Sequence, residues 1–214
     1  MRAVTQLPQG YEKLGEVQLA KNQGLLIGLN LAALPLLVGW AWLFGYAVHV
    51  LVPGFTLPTE YTIDLRGLAG LVGMFVGIMV GVILVHEAIH GVFFWVFSGQ
   101  RPVFGITWKY AYASAPGWYF PRGQYLIIGL APLVLISLAG VLILPVIPYA
   151  AIPGLLIALT LNATGAIGDL YIVGNLLFVP RHTLILDQKD QITWYSPVLA
   201  RKTGDIVVGE ISNE

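Results

Sequence analysis

The sequence predicts an all-α membrane protein with about four transmembrane helices and a short strand or hairpin segment between helices 2 and 3. Three observations lead to this class. First, the chain of 214 residues is 57% hydrophobic and only 10% charged, whereas soluble domains carry about 25% charged residues. Second, four apolar stretches are long enough to cross a bilayer, which takes about 20 residues. Third, the segment between the second and third stretches alternates aromatic with small or polar residues.

The four predicted spans are separated by short polar or proline-rich segments. No formal charge falls between Asn22 and Thr59, and the first apolar stretch is far longer than a signal-peptide core of about 7–15 residues. We therefore expect a retained helix there. The second span carries a glycine at every fourth position, which is typical of a close contact with another helix: Gly73, Gly77 and Gly81. The spans cover residues 24–52, 67–97, 124–144 and 155–178.

Two short segments carry strand patterns. Between the second and third spans, aromatic and aliphatic residues from Ile106 to Tyr112 alternate with smaller or polar ones, and Trp118–Phe120 follow a turn and are expected to return as a second strand. An irregular interfacial loop with its aromatic rings at headgroup level is the alternative. After the fourth span, apolar runs at 182–186 and 192–195 flank an expected turn at 187–190, which predicts a small hairpin on the membrane surface.

The predicted organisation is a cytosolic N-terminal tail over 1–23, a transmembrane domain over 24–178 and a cytosolic C-terminal tail over 179–214. Four spans place both termini on one side of the membrane. Ten of the eleven Lys and Arg residues lie in the two tails or in the loop between spans 2 and 3, and only Arg66 lies on the other side. The positive-inside rule then predicts cytosolic termini. The formal net charge of zero gives no indication of a nucleic acid partner.

The most informative stretch is His86-Glu87-Ala88-Ile89-His90, within the second span. Apart from Glu87, residues 68–97 contain no Asp, Glu, Lys or Arg. Histidines four residues apart lie on one face of a helix, with about 5–6 Å between their Cβ atoms, so both imidazoles can reach one metal ion. H-E-x-x-H is a zinc metalloprotease signature in which the Glu is the general base. Because ionisable residues in a membrane span are costly, this cluster indicates a functional site.

A third zinc ligand is expected from elsewhere, since a catalytic zinc has three protein ligands and a position for water or substrate. Asp169 is the first candidate because it is the only other acidic residue within a predicted span. His182, just past the fourth span, is the alternative. Asn162 lies seven residues before Asp169 and therefore on the same helix face. It is predicted to stabilise an oxyanion, to orient a ligand, or to form an ordinary hydrogen bond between helices.

Together these residues predict zinc-assisted hydrolysis of peptide bonds in a membrane protein or peptide substrate. Glu87 would take a proton from a zinc-activated water and deliver it to the leaving amine. Other interpretations are a polar cluster that only joins helices, a structural zinc site, a metal transporter, and a catalytically inactive protein that binds a partner or serves in a complex. Structural zinc sites usually have four ligands, often cysteines, and this chain has no Cys.

A motif-bearing membrane helix, an aromatic strand-like segment and a later span with Asn162 and Asp169 resemble the site-2 protease clan of intramembrane metalloproteases. More closely, the chain resembles the small bacterial zincin peptidases. The resemblance covers about residues 67–178. It implies zinc held by His86, His90 and Asp169, with Glu87 as general base, in a protein of the bacterial cell membrane.

Overall fold

The computed structural model describes residues 2–18, 21–56, 64–107, 111–188 and 191–198. The protein is mostly helical in these parts, with two small antiparallel sheets. Within the described residues, three helices are long and apolar enough to cross a membrane, and a bent pair of shorter helices raises the number to four. By length and composition, the structure thus has three or four helical segments that could cross a membrane, against the predicted number of about four. The helices are α1 (Gln23–Leu51), α2 (Leu65–Ser98), α3 (Arg122–Ile143), α4 (Ile152–Gly165) and α5 (Ile167–Leu177).

The fourth predicted span is a broken helix rather than a continuous one. Helices α4 and α5 meet at Ala166 with a bend of 41°. Ala166 has a ψ of 6° and ends α4, and its backbone N–H bonds to the carbonyls of Asn162 and Thr164. Because a new helix begins at Ile167, Asp169 lies in the first turn of α5 instead of in the middle of a long span.

The prediction of an all-α protein is wrong in its strictest form, because the two tails form a sheet. Strands β1 (Tyr11–Val17), β4 (Tyr119–Pro121), β5 (Leu184–Gln188) and β6 (Gln191–Pro197) lie in the order β1-β6-β5-β4. All neighbours are antiparallel. The pairing joins segments from the N-terminal tail, the middle of the chain and the C-terminal tail, so local sequence patterns indicate only its β5–β6 hairpin.

The two predicted hairpins have different outcomes. A short antiparallel pair, β2 (Val103–Ile106) and β3 (Ala111–Ser114), lies between helices α2 and α3, where a strand or hairpin was predicted. Ile106 ends β2 and Ala111 begins β3, so the alternating stretch that was expected to form one strand contributes to both. Residues 118–120 do not return onto it, because β4 pairs with β5 in the larger sheet. Residues 108–110, part of the alternating aromatic pattern, lie outside the described residues. The C-terminal hairpin is present as β5 and β6, but Asp187 belongs to β5 and not to the expected turn.

The chain divides into two compact units. The first comprises the described parts of 1–27, 87–131 and 168–214 and contains both sheets; its core includes Phe94, Phe120, Ile128, Leu176 and Ile185. The second, residues 28–86 and 132–167, is helical. Its two clusters of buried side chains are Val48, Val52, Leu144 and Ile152 in one, and Phe44, Leu159 and Ala163 in the other.

The glycine stripe of the second span does not contact another helix within the described chain. No atom lies within 4 Å of a Cβ built on Gly73, Gly77 or Gly81, apart from the immediate helix backbone. The expected close contact with another helix is therefore not formed within the part of the chain that the structure describes.

Candidate metal centre

The motif occupies the C-terminal half of α2, where the helix places its two histidines on one face. His86 and His90 are one helical turn apart, and Glu87 follows His86 directly. His90 is buried, with 8% of its surface exposed, whereas His86 and Glu87 are partly buried. An apolar helix therefore presents two imidazoles and a carboxylate within five residues.

Asp169 comes to this face from the first turn of α5. Its Oδ2 atom lies 3.5 Å from Nε2 of His90. The first turn of a helix stabilises a carboxylate, since unsatisfied N–H groups and the positive end of the helix dipole lie there. The break at Ala166 thus provides a favourable position for a negative charge in an otherwise apolar segment.

His86, His90 and Asp169 form a group that fits a metal ion. Each offers one ligand atom, and the three atoms lie within 4.8 Å of one another. Ligands at about 2.0–2.1 Å from a tetrahedral zinc are roughly 3.3–3.4 Å apart, so the pair from His90 and Asp169 is already at a suitable separation. Two imidazoles and one carboxylate are also the donor set of known catalytic zinc sites.

A backbone carbonyl orients the ring of His90. Its Nδ1 lies 2.9 Å from the carbonyl oxygen of Ile128 in α3. A carbonyl oxygen only accepts hydrogen bonds, so Nδ1 carries the proton and donates it. With Nδ1 engaged, Nε2 is the ring nitrogen that faces Asp169 and would bind a metal ion. Metal-bound histidines in proteins almost always show such a hydrogen bond from the other ring nitrogen.

The side chain of Asn162 orients the ring of His86 in the same way. Asn162 is 1% exposed, and its Nδ2 donates to the carbonyl oxygen of Pro132 over 3.3 Å. That bond fixes the amide, so Oδ1 is the atom at 2.9 Å from Nδ1 of His86, and Nδ1 must be the donor. This contact fits both the ligand-orienting role and the ordinary hydrogen bond between helices that were predicted for Asn162. Its role towards an oxyanion stays a prediction.

The alternative third ligand, His182, does not join the group. Among the described residues, the three that could hold a metal together are His86, His90 and Asp169. His182 is exposed, and its backbone carbonyl accepts a hydrogen bond from the Tyr11 hydroxyl at the edge of the four-stranded sheet. The geometry therefore favours the first candidate for the third ligand, Asp169.

Two glycines allow close packing beside the metal-binding residues. A Cβ on Gly129, next to Ile128 in α3, would lie only 2.9 Å from Cγ2 of Val173 in α5. A Cβ on Gly91, next to His90, would overlap the ring of Phe104 in β2. Helix α3 can thus approach α5 one turn after Asp169, and the short hairpin packs directly on the motif helix.

Sequence reasoning missed one buried carboxyl group near these residues. Asp187 in β5 is 8% exposed, and its Oδ2 accepts a hydrogen bond of 2.6 Å from the Tyr125 hydroxyl of α3. Burial raises the pKa of Asp187 to about 6; the Tyr125 bond and His90 lower it, whereas Asp169 and Glu87 raise it. The buried carboxyl is thus within electrostatic range of the metal-binding group. Only a surface turn was expected at this position, so no local signal indicated its burial.

His86, Glu87 and His90 follow the H-E-x-x-H pattern, which is a zinc metalloprotease signature, and Asp169 adds a carboxylate to the group. Independently, residues 79–184, just under half of the chain, match the family model described as "Putative zincin peptidase". The similarity supports a zinc peptidase and implies zinc as the metal for the group formed by His86, His90 and Asp169. No curated protein and no solved structure matched the chain in the same comparisons.

Proposed function

We propose that this protein is a membrane-embedded zinc metallopeptidase, related in its chemistry to the site-2 proteases, that hydrolyses peptide bonds of membrane proteins or peptides. The observation that carries the proposal is the arrangement of the three ligand atoms of His86, His90 and Asp169 within 4.8 Å. Glu87, on the same helical turn as His86, adds the general base that hydrolysis requires. Similarity to a zincin peptidase family supports the same reaction class.

Each residue has a distinct task in this proposal. When bound, zinc supplies Lewis acidity, which lowers the pKa of a water molecule and polarises the scissile carbonyl. Glu87 takes a proton from the attacking water and delivers it to the leaving amine. Asn162 and the Ile128 carbonyl keep both imidazoles in the tautomer that has its lone pair on Nε2. Asp169 supplies a negative charge that offsets part of the charge of the metal.

The proposed location is the bacterial cell membrane, with the spans crossing the bilayer and both termini in the cytosol. The long apolar helices are compatible with this location, and the distribution of Lys and Arg favours the orientation. Reporter fusions at Glu214 and in the loop near Thr59, both outside the described residues, are expected to report opposite sides of the membrane. The same side for both would contradict four crossings.

Activity is tested with the full chain purified in detergent micelles and incubated with a proteome-derived peptide library. Mass spectrometry then identifies new termini. We expect cleavage by the wild-type protein and none by Glu87→Gln, with equal zinc content in both. Glu12→Gln, on strand β1, is the matched control and should cleave like the wild type. If the wild type and Glu87→Gln give the same peptides, the protein is no peptidase under these conditions, which favours an inactive protein that binds a partner.

A further inference from the structure

Pro132 lies inside helix α3, where a proline changes the hydrogen bonds of the helix. It is buried and sits ten residues after the start of α3 at Arg122. In an α-helix, the N–H of residue 132 would donate to the carbonyl of residue 128. Proline has no N–H, and its ring pushes against the carbonyl four residues earlier. The carbonyl of Ile128 therefore cannot receive its usual hydrogen bond from residue 132.

The same carbonyl is the one that accepts the proton on Nδ1 of His90. The two atoms lie 2.9 Å apart. Any other residue at position 132 would have an N–H group that donates to the Ile128 oxygen along the helix. The Nδ1–H of His90 would then compete with that backbone amide for the same oxygen. Because it lacks the N–H, Pro132 therefore leaves the Ile128 carbonyl available as the acceptor for His90.

Pro132 also contributes to the other histidine through its own carbonyl group. That oxygen accepts the hydrogen bond of 3.3 Å from Nδ2 of Asn162, which directs Oδ1 of Asn162 towards Nδ1 of His86. Each of the two imidazoles thus depends on a hydrogen-bond acceptor that Pro132 either makes available or fixes in place.

We infer that Pro132 is a positioning residue for the metal site: its missing N–H makes the Ile128 carbonyl available to His90, and its carbonyl fixes the Asn162 amide that holds His86. The inference rests on the zinc-binding part of the proposed function and not on peptide hydrolysis. A proline that only bends or packs α3 would not decide whether the Nδ1–H of His90 has a free acceptor in the Ile128 carbonyl, which separates the two roles.

The test compares two replacements at position 132 that differ in a single group. Pro132→Ala introduces an N–H. Replacement of Pro132 by lactic acid, introduced as an α-hydroxy acid during translation, gives the same methyl side chain with an ester oxygen in place of the N–H. Both replacements remove the ring and retain the carbonyl of residue 132. Pro35→Ala is the control, because Pro35 lies inside α1 and is exposed.

Two readouts are measured on the full chain in micelles. In the metal-free protein, the ¹H chemical shift of the His90 Nδ1–H in ¹⁵N-labelled protein reports whether that proton is hydrogen-bonded, with assignment by His90→Ala. Competition with a chromophoric chelator gives the zinc affinity. Loss of an interaction that orients a metal ligand typically weakens binding by about 10–100-fold. We expect this loss, with an upfield shift of the His90 Nδ1 proton as its hydrogen bond weakens, for Pro132→Ala only.

The lactic acid replacement and Pro35→Ala are expected to keep the wild-type chemical shift of the His90 Nδ1 proton. Their zinc affinity should stay within about threefold of the wild type, a smaller change than the loss of an orienting interaction. The inference is overturned if Pro132→Ala leaves both quantities unchanged, or if the ester and the alanine variant lose zinc equally, since the ring and not the N–H would then be responsible. Should the wild-type protein bind no zinc, the proposed function fails, but the hydrogen bond of the His90 Nδ1 proton still tests the role of Pro132.

Discussion

Replacement of Asn162 by alanine tests how the site holds its first histidine. The change removes two hydrogen bonds: the one at 2.9 Å with Nδ1 of His86 and the one at 3.3 Å with the Pro132 carbonyl. Asn162 is 1% exposed, so water cannot easily replace its amide, and each buried group left without a partner costs about 1–3 kcal/mol. Removal of a residue that orients a metal ligand weakens binding by about 10–100-fold, which is roughly 1.4–2.7 kcal/mol in zinc affinity.

The assay is chelator competition for zinc, followed by peptide cleavage at saturating zinc. Asn162→Asp is the matched variant, because it keeps an oxygen acceptor for His86 and should retain zinc affinity far better than Asn162→Ala. If Asn162 only orients the ligand, saturating zinc should restore most of the cleavage rate to Asn162→Ala. If it also stabilises an oxyanion, the rate should stay about 10²–10³-fold lower. Wild-type zinc affinity in Asn162→Ala would refute the orienting role.

Three further predictions concern the surroundings of the site. In the metal-free protein the pKa of the buried Asp187 is raised from 3.8 to about 6, so between these values the folded chain keeps a proton that the unfolded chain releases. The free energy of unfolding should therefore fall as the pH rises from about 4 to 6. The expected decrease is about 3 kcal/mol, at about 1.36 kcal/mol per pH unit. Thermal unfolding of Asp187→Asn should lack this slope, and an equal slope in both proteins would contradict the assignment. Gly129→Ala should weaken zinc binding, because its Cβ would lie 2.9 Å from Val173; Val173→Ala in the same chain should restore it, and failure to do so would mean that this contact does not position α5. Ile106→Pro in strand β2 should reduce cleavage and leave zinc bound, if the edge of the β2–β3 pair holds an extended substrate; unchanged cleavage across a proline scan of 103–106 would exclude that use of the strand.

The helical part of the fold was predictable from local information. Long apolar runs mark α1, α2 and α3 within a few residues, because length and hydropathy alone decide whether a helix can cross a bilayer. The four-stranded sheet was not predictable, since β1 pairs with β6 across almost the whole chain. The break at Ala166 was also missed: Gly165 and Gly168 permit it, but glycines are common in membrane helices and do not by themselves indicate a bend.

The candidate site was likewise predictable from the sequence only in part. His86, Glu87, His90 and Asp169 were identifiable because charged or metal-binding groups in apolar segments need a physical reason. The parts that orient them were not identifiable. The Ile128 carbonyl is a backbone group, so the residue type gives no indication of its role. Asp187 lies in a polar stretch whose sequence predicts a surface turn. Their contribution depends on which helices and strands meet, which a single sequence does not reveal.

The most direct test of the central claim is X-ray absorption at the zinc K-edge on purified Glu87→Gln protein, which should bind zinc without turning over substrate. We expect one zinc per chain, with signals from two imidazoles at about 2.0–2.1 Å and a carboxylate oxygen at about 2.0–2.2 Å. The same measurement on protein that also carries Asp169→Ala should show most of the zinc lost. Stoichiometric zinc with an unchanged spectrum after removal of Asp169, or no zinc in either protein, would contradict a site formed by His86, His90 and Asp169.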